Sequence, residues 1–339
     1  MFFAMLCTGL ASCGKSNKEK AAETQAAAET VDVSGVKLQK TPDFNGDSAY
    51  LLVKKQVDFG PRIPNKPAHK ACAAWLSAKL KQYGSEVTVQ DFTAKAFTGE
   101  MLDLHNIIGS YNPTASRRIL LTAHWDTRPF ADQDSHNPDK SFDGANDGGS
   151  GVAVLLEIAR NLQQSKPTVG VDIILWDGED FGENRDYMPD ENEEPGKWWC
   201  LGSRYWSEHK HIPNYSAFFG INLDMVGGPN ARFAKEGQSM QYAPTVTDRV
   251  WQYAHALGYS KAFPDNVVEG ITDDHINVNR YAKINMIDII EYENSDGNFF
   301  SPTWHTHNDD INHIDKNSMQ AVGQTLLQTL WQQQPEINP

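Results

Sequence analysis

Four cysteines in 339 residues are too few for a disulfide scaffold, and no apolar run approaches the roughly 20 residues that a membrane-spanning helix needs. Internal membrane spans are thereby excluded, and the fold must rest on a packed core, for which 40% hydrophobic residues are ample. Basic residues are also short: 30 Lys+Arg against 44 Asp+Glu leave a net charge of −14, which argues against a general nucleic-acid binder. No Walker-type phosphate loop occurs, and no serine or cysteine nucleophile stands with the partners it would need. There is no internal repeat, and no second low-complexity linker follows residue 40.

The start of the chain is the part that does not read as globular. Residues 2–12 are largely apolar and uncharged, and they end in Leu10-Ala11-Ser12-Cys13-Gly14. Small residues immediately before a cysteine resemble a bacterial lipobox. Residues 1–12 are therefore expected to be a lipoprotein signal peptide, with Cys13 the lipidated residue of the mature chain; an ordinary signal peptide is the alternative. Residues 13–40 read as the lipidated cysteine and a polar tether rich in Lys, Glu, Ala and Gln, and residues 41–339 as the folded domain. The implied location is a bacterial cell envelope, lipid-anchored, with the folded domain in the periplasm. Cys72 and Cys200 remain; Cys72 shares a helical stripe with Leu76 and Leu80, and two separate thiols are expected rather than a bridge.

Past the tether, strands alternate with helices. Helices are expected over Pro67–Tyr83, Gly151–Leu162, Val246–Leu257 and Asn317–Gln333. Strands are expected at Glu86–Phe92, Ile119–Ala123, Val171–Trp176, Phe218–Leu223 and Ile284–Ile290. That alternation predicts a single α/β layered domain with its site at the carboxyl edge of the strands. The residues that follow those apolar runs, or sit in a glycine-rich turn, are His124, Asp126, Asp147, Glu179, Asp180, Asp224 and His305. Imidazoles and carboxylates are nitrogen and oxygen donors that suit zinc, and in the adjacent pair Glu179-Asp180 one carboxylate can bind metal while its neighbour stays free as a base. Any one of these is weak evidence: a lone His-x-Asp is more often a surface pair, and an aspartate in a glycine turn is there for the turn. Their ordered recurrence at strand ends is what points to a metal site.

His124-Trp125-Asp126, Asp143-Gly144-Ala145-Asn146-Asp147, Asp177-Gly178-Glu179-Asp180, Leu223-Asp224 and Trp304-His305-Thr306 together resemble the zinc aminopeptidase superfamily of the M28 type. Within it, Asp273-Asp274-His275-Ile276 and the segment from Phe300 to Asp309 are similar to the animal-type glutaminyl-peptide cyclotransferases. The resemblance covers about residues 45 to 335 and implies a central mixed β-sheet flanked by helices. It implies one zinc held by Asp147, Asp180 and His305, with Glu179 the proton-transferring carboxylate and Asp224 and Asp273 a hydrogen-bonded network beside it. Trp304 would pack on the substrate's glutaminyl side chain, in a pocket lined by Phe300 and Ile271. The implied reaction closes the N-terminal glutamine of a peptide or protein to pyroglutamate and releases ammonia. The implied partners are such peptides, with no nucleic acid, and with a membrane only through the lipid anchor.

An M28-type aminopeptidase using two zinc ions is the alternative, because His124 and Asp224 occupy the second-metal positions and Asp147 can bridge. A silent binding lipoprotein is a third reading, disfavoured because no ligand is lost. Departures from the cyclase pattern are Asp180 in place of glutamate, Asp288 in place of a histidine, and no cysteine at Ala123 or Trp125. A second pocket tryptophan would have to come from Trp198 or Trp199.

Overall fold

The computed structural model describes residues 35–292 and 300–333. The expected signal peptide, Cys7, Cys13 and the tether up to residue 34 lie outside the described residues. Lys37 and Gln39 accept hydrogen bonds on their carbonyls from Gln332 (3.0 Å) and Gln328 (3.1 Å), so the ordered chain is engaged slightly ahead of residue 41.

In chain order the elements are α1 (Gly46–Val57), α2 (Pro67–Gln82), β1 (Glu86–Lys95), β2 (Met101–Tyr111), β3 (Arg118–His124), α3 (Gly149–Gln164), β4 (Gly170–Trp176), α4 (Leu201–Glu208), β5 (Phe219–Asp224), α5 (Gly237–Tyr242), α6 (Pro244–Ala256), α7 (Asp274–Asn277), β6 (Met286–Ile290) and α8 (Lys316–Trp331). The strands form one six-stranded sheet in the order β1-β2-β4-β3-β5-β6. Strands β4, β3, β5 and β6 are parallel, and β1 and β2 add an antiparallel hairpin on one edge, which makes the sheet mixed. The parallel strands β3 and β4 are hydrophobic without alternation because both faces are covered. Helices α1, α2, α3, α6 and α8 pack a large apolar core against one face, with Val152, Leu155, Leu156, Ile119, Leu121 and Leu326 fully buried. The other face carries a smaller core around Trp176, Trp206, Val278 and Met286.

Each expected helix and strand is present, with ends displaced by a few residues. Helices α1, α4, α5 and α7 and strand β2 were not anticipated. Strand β2 begins with alternating burial and turns into the continuous buried run Asn106-Ile107-Ile108-Gly109, because only its second half lies against β4. Cys72 and Cys200 are both buried, free thiols. The fold is thus a single mixed α/β domain. Its topology reverses at β3, which has β4 on one side and β5 on the other, and ligands in open α/β sheets gather at such a point, outside the carboxyl ends of the strands.

Candidate functional site

Three strands deliver the chemistry. β3 ends at His124, β4 runs into Asp177-Gly178-Glu179-Asp180, and β5 ends at Asp224. Asp147 comes from the glycine-rich turn that starts α3. There Gly148 has φ +80°, and a Cβ on it would meet the Asp126 carbonyl oxygen at 2.8 Å and the His124 ring at 3.0 Å. Glycine is therefore required for the turn to sit against the histidine. His305 arrives from the loop before α8 with φ +52°.

These side chains converge. Donor atoms of Asp147, Asp180 and His305 all lie within 4.8 Å of one another, and so do those of His124, Asp147 and Asp224. His305 Nε2 is 3.1 Å from Asp180 Oδ1 and 3.5 Å from Asp147 Oδ2. His124 Nε2 is 3.0 Å from Asp147 Oδ1 and 3.2 Å from Asp224 Oδ1. Asp147 thus turns one oxygen to each histidine. Buried carboxylates with an imidazole are a donor set that fits zinc, and a dication would offset the negative charge gathered there. Asp180, a carboxylate on a shorter stem than glutamate, still reaches the set.

The surroundings shift the acids and bases strongly. Burial drives Glu179 well above the usual carboxylate range; nearby Asp180, Asp273 and Asp274 add to this, against an opposing pull from His124. Burial likewise lifts Asp224 to about 7, although His124 pulls it down. His305 is raised to about 9: burial opposes its charge, but Asp180 and Asp132 outweigh it. A carboxyl held above its usual range beside a metal-ligand set is equipped to take and return a proton.

Several supporting residues were not legible beforehand. Asp132 Oδ1 stands 3.2 Å from His305 Nδ1, and its carboxylate accepts from Arg128 at 3.0 and 2.7 Å. Asp309 accepts the backbone N–H groups of Asn146 (2.6 Å) and Asp147 (3.0 Å), pinning the metal turn. The buried Arg62 guanidinium donates to the carbonyls of Asp143 and of Gly144, the latter at 2.7 Å. Asp126 accepts from the N–H groups of Glu179 (3.1 Å) and Asp180 (3.2 Å), which explains the His-x-Asp spacing: the aspartate orients the next strand's carboxylates. Asp309 lay inside a segment already singled out; Asp132 and Arg62 had no local signal at all.

One expectation is revised. Among the described residues no hydrogen bond joins Asp224 to Asp273. Asp224 pairs with His124, whereas Asp273, the N-cap of α7, accepts from Asn222 Nδ2 (3.2 Å), which also donates to Asp288 (3.3 Å). Glu193, in the acidic run Asp190–Glu194, accepts from Lys197 (2.7 Å), Tyr187 and Trp198. His307 and His313 are paired with Asp134 and Asp310.

A mostly apolar pocket of about 430 Å³ adjoins this centre, with Trp199, Ile271, Thr272, Phe300 and Trp304 in its wall. Trp199, Thr272 and Trp304 immediately precede Cys200, Asp273 and His305, so the wall is continuous in the chain with the acid cluster. Phe300 packs on Trp304 at 4.7 Å between ring centres, and the Trp304 ring lies on His305 at 4.0 Å. Trp199 is the second pocket tryptophan; its ring is parallel to His305 within 3° and carries the Arg128 guanidinium at 4.6 Å. Its seat exists because Gly182 has no side chain, since a Cβ there would fall 2.0 Å from the Trp199 ring. Trp198 instead bonds to Tyr187 and Glu193 within the loop between β4 and α4, and Trp125 stacks on His69 in the core.

Comparison with known proteins agrees with this architecture. A solved glutaminyl cyclase of Bacteroides thetaiotaomicron, bound to N-acetylhistamine, is 48% identical, covers 87% of this chain and 100% of its own, and superposes with a TM-score of 0.84. A solved leucine aminopeptidase precursor of the same organism is 49% identical over 87% of this chain and 99% of its own, with a TM-score of 0.83. Aminopeptidase YwaD of Bacillus subtilis is 25% identical over 314 residues, which is 89% of this chain but 60% of the relative's length. The model of peptidase family M28 matches residues 106–330, the stretch that carries β3 through α8 and every proposed ligand. The four parallel strands, the histidine at the end of β3, the aspartate shared by both donor groups and the carboxylate pair after β4 all fall within that match, and the chain belongs to peptidase family M28.

Proposed function

We propose that this protein is a zinc-dependent glutaminyl-peptide cyclotransferase, which converts the N-terminal glutamine of peptides to pyroglutamate with release of ammonia. The observation that carries this reading is the asymmetry of the two histidines. His305 has its second ring nitrogen facing the Asp132 carboxylate at 3.2 Å, whereas His124 Nδ1 faces Asp126 at 3.6 Å. Metal-binding histidines are oriented by a partner on the other nitrogen, so His305 is the more closely supported ligand of the two. One metal suffices for cyclisation, because the attacking amine is already part of the substrate and no activated water is needed.

Asp147, Asp180 and His305 would hold the zinc, which when bound supplies a Lewis acid for the side-chain carbonyl oxygen. Glu179 takes a proton from the α-amine and returns it to the departing nitrogen. Asp273, whose carboxylate lies within 4.8 Å of Glu179, receives the amide N–H groups and keeps the leaving nitrogen in reach of that proton. Trp304, Trp199, Phe300 and Ile271 form the apolar wall against which the glutaminyl methylenes fold back. The 48% identity to a solved glutaminyl cyclase supports the reaction class.

The two-zinc aminopeptidase is the second reading, favoured by His124 Nε2 lying within 3.2 Å of both Asp147 and Asp224. Zinc-loaded protein incubated with a Gln-initiated and a Leu-initiated peptide separates the two. Loss of one ammonia from the first, with the second untouched, establishes the cyclase, and Glu179→Gln should then be inactive while keeping its zinc. Release of free Leu or Gln overturns it. The leader is proposed as a lipid anchor on its sequence alone; a Cys13→Ala chain that still takes up labelled fatty acid would remove that proposal.

A further inference from the structure

The proposed base is held on two sides by one residue that the reaction does not require. Cys200 Sγ lies 3.4 Å from Glu179 Oε1, and the backbone N–H of Cys200 donates to the Glu179 carbonyl at 3.0 Å. The Cys200 carbonyl in turn accepts from Asn277 Nδ2 (3.2 Å), Ser203 Oγ (3.1 Å) and the N–H of Arg204 (3.1 Å). These bonds fix the residue in the left-handed region, φ +56°, as it starts α4. A non-glycine residue there carries a conformational cost, and here the strained backbone aims the thiol at the carboxylate. Sulfur, Glu179 and Asp273 lie within 4.8 Å of one another, and Cys200 is 2% exposed.

What can such a thiol do? Burial and the carboxylates of Glu179, Asp274 and Asp273 push its pKa well up, so it keeps its proton. A protonated, buried thiol is a poor nucleophile and a poor ligand for zinc. It is, however, an S–H donor with an acceptor in reach.

Resting on the cyclotransferase reading, the geometry points to Cys200 as a positioning residue: its S–H donates to Glu179 Oε1 and locks the carboxylate rotamer, leaving Oε2 for the substrate's proton. Trp199, one residue earlier, forms the pocket wall, so the same short segment sets both the wall and the angle of the base. Correct placement of a proton-transferring group is a large part of its worth, and the effect belongs in kcat rather than in binding.

The test compares Cys200→Ala and Cys200→Ser with the wild-type chain, all zinc-loaded, on a Gln-initiated peptide. All three residues have a Cβ and carry a similar left-handed cost, so the backbone is matched and the donor alone varies. Cys200→Ala should lose about tenfold in kcat with KM and zinc content unchanged, and Cys200→Ser, which restores an O–H donor, should recover most of that loss. Wild-type kcat in Cys200→Ala overturns the proposal. Equal losses in both variants, or a loss accompanied by lower zinc content or raised KM, also overturn it, because they mark a packing role. If the wild-type chain does not cyclise the peptide at all, the underlying functional reading has failed instead; the two failures are read from different samples.

Discussion

The two halves of the metal centre use the same residue types and share Asp147, yet they are built differently. On one side His305 faces Asp132, which is itself clamped by Arg128, while Trp304 and Trp199 cover the ring. On the other, His124 meets carboxylates on Nε2, and its Nδ1 faces Asp126 at the longer distance of 3.6 Å. Counting ligands makes the halves equal; counting how closely the ligands are held does not. Metal analysis of variants in each half therefore tests whether they bind alike.

The widest separation should come from removing each histidine in turn. His305→Ala is expected to weaken zinc binding by more than the about 10–100-fold that loss of a supporting residue causes. His124→Ala should retain one zinc per chain, measured by metal analysis after dialysis. Equal loss of zinc in both would make the halves equivalent and favour the aminopeptidase.

Asp132→Asn probes the support itself. It should cost about 10–100-fold in zinc affinity, read by competition with a chromophoric chelator, with the fold unchanged. Protons offer a third test. In the metal-free protein His305 keeps its proton up to about 9, and zinc must displace it. Zinc affinity should therefore rise with pH, by about tenfold per unit for one displaced proton, and level off above that value. The slope should survive His124→Ala. The smallest effect is at the pocket: Trp199→Ala should raise KM for a Gln-initiated peptide several-fold at unchanged zinc content, and Gly182→Ala should reproduce part of it by evicting the ring.

How far the sequence could be read follows from where each interaction lies. Ligands sit at strand ends, and strand ends are local: the apolar run before His124, before Asp177-Gly178-Glu179-Asp180 and before Asp224 could each be seen in a window of about ten residues. The helices α3 and α8 were equally plain from their periodicity. The missed parts are those made by contacts between distant segments. Asp132 supports His305 across the fold, Asp309 holds the turn of Asp147, and Arg62 caps the carbonyls of Asp143 and Gly144. None has a spacing that betrays it. Helix α1 was hidden for a different reason, since its buried positions Gly46, Ala49, Leu52, Val53 and Gln56 include a glycine and a glutamine and so make a weak stripe. Trp199 was named but not chosen over Trp198, and the choice depended on Gly182, which only the structure shows to be its seat.

The carboxylate of Asp309 receives the N–H groups of Asn146 and Asp147 across 162 and more positions of chain. The turn that carries the shared ligand is thus completed by a residue near the end of the polypeptide. A nascent chain that has made β3, α3 and β4 holds His124, Asp147 and Asp180 but lacks the residue that squares the turn, and lacks His305 as well. Capture of a metal by the full set then waits for the segment that carries His305 and Asp309.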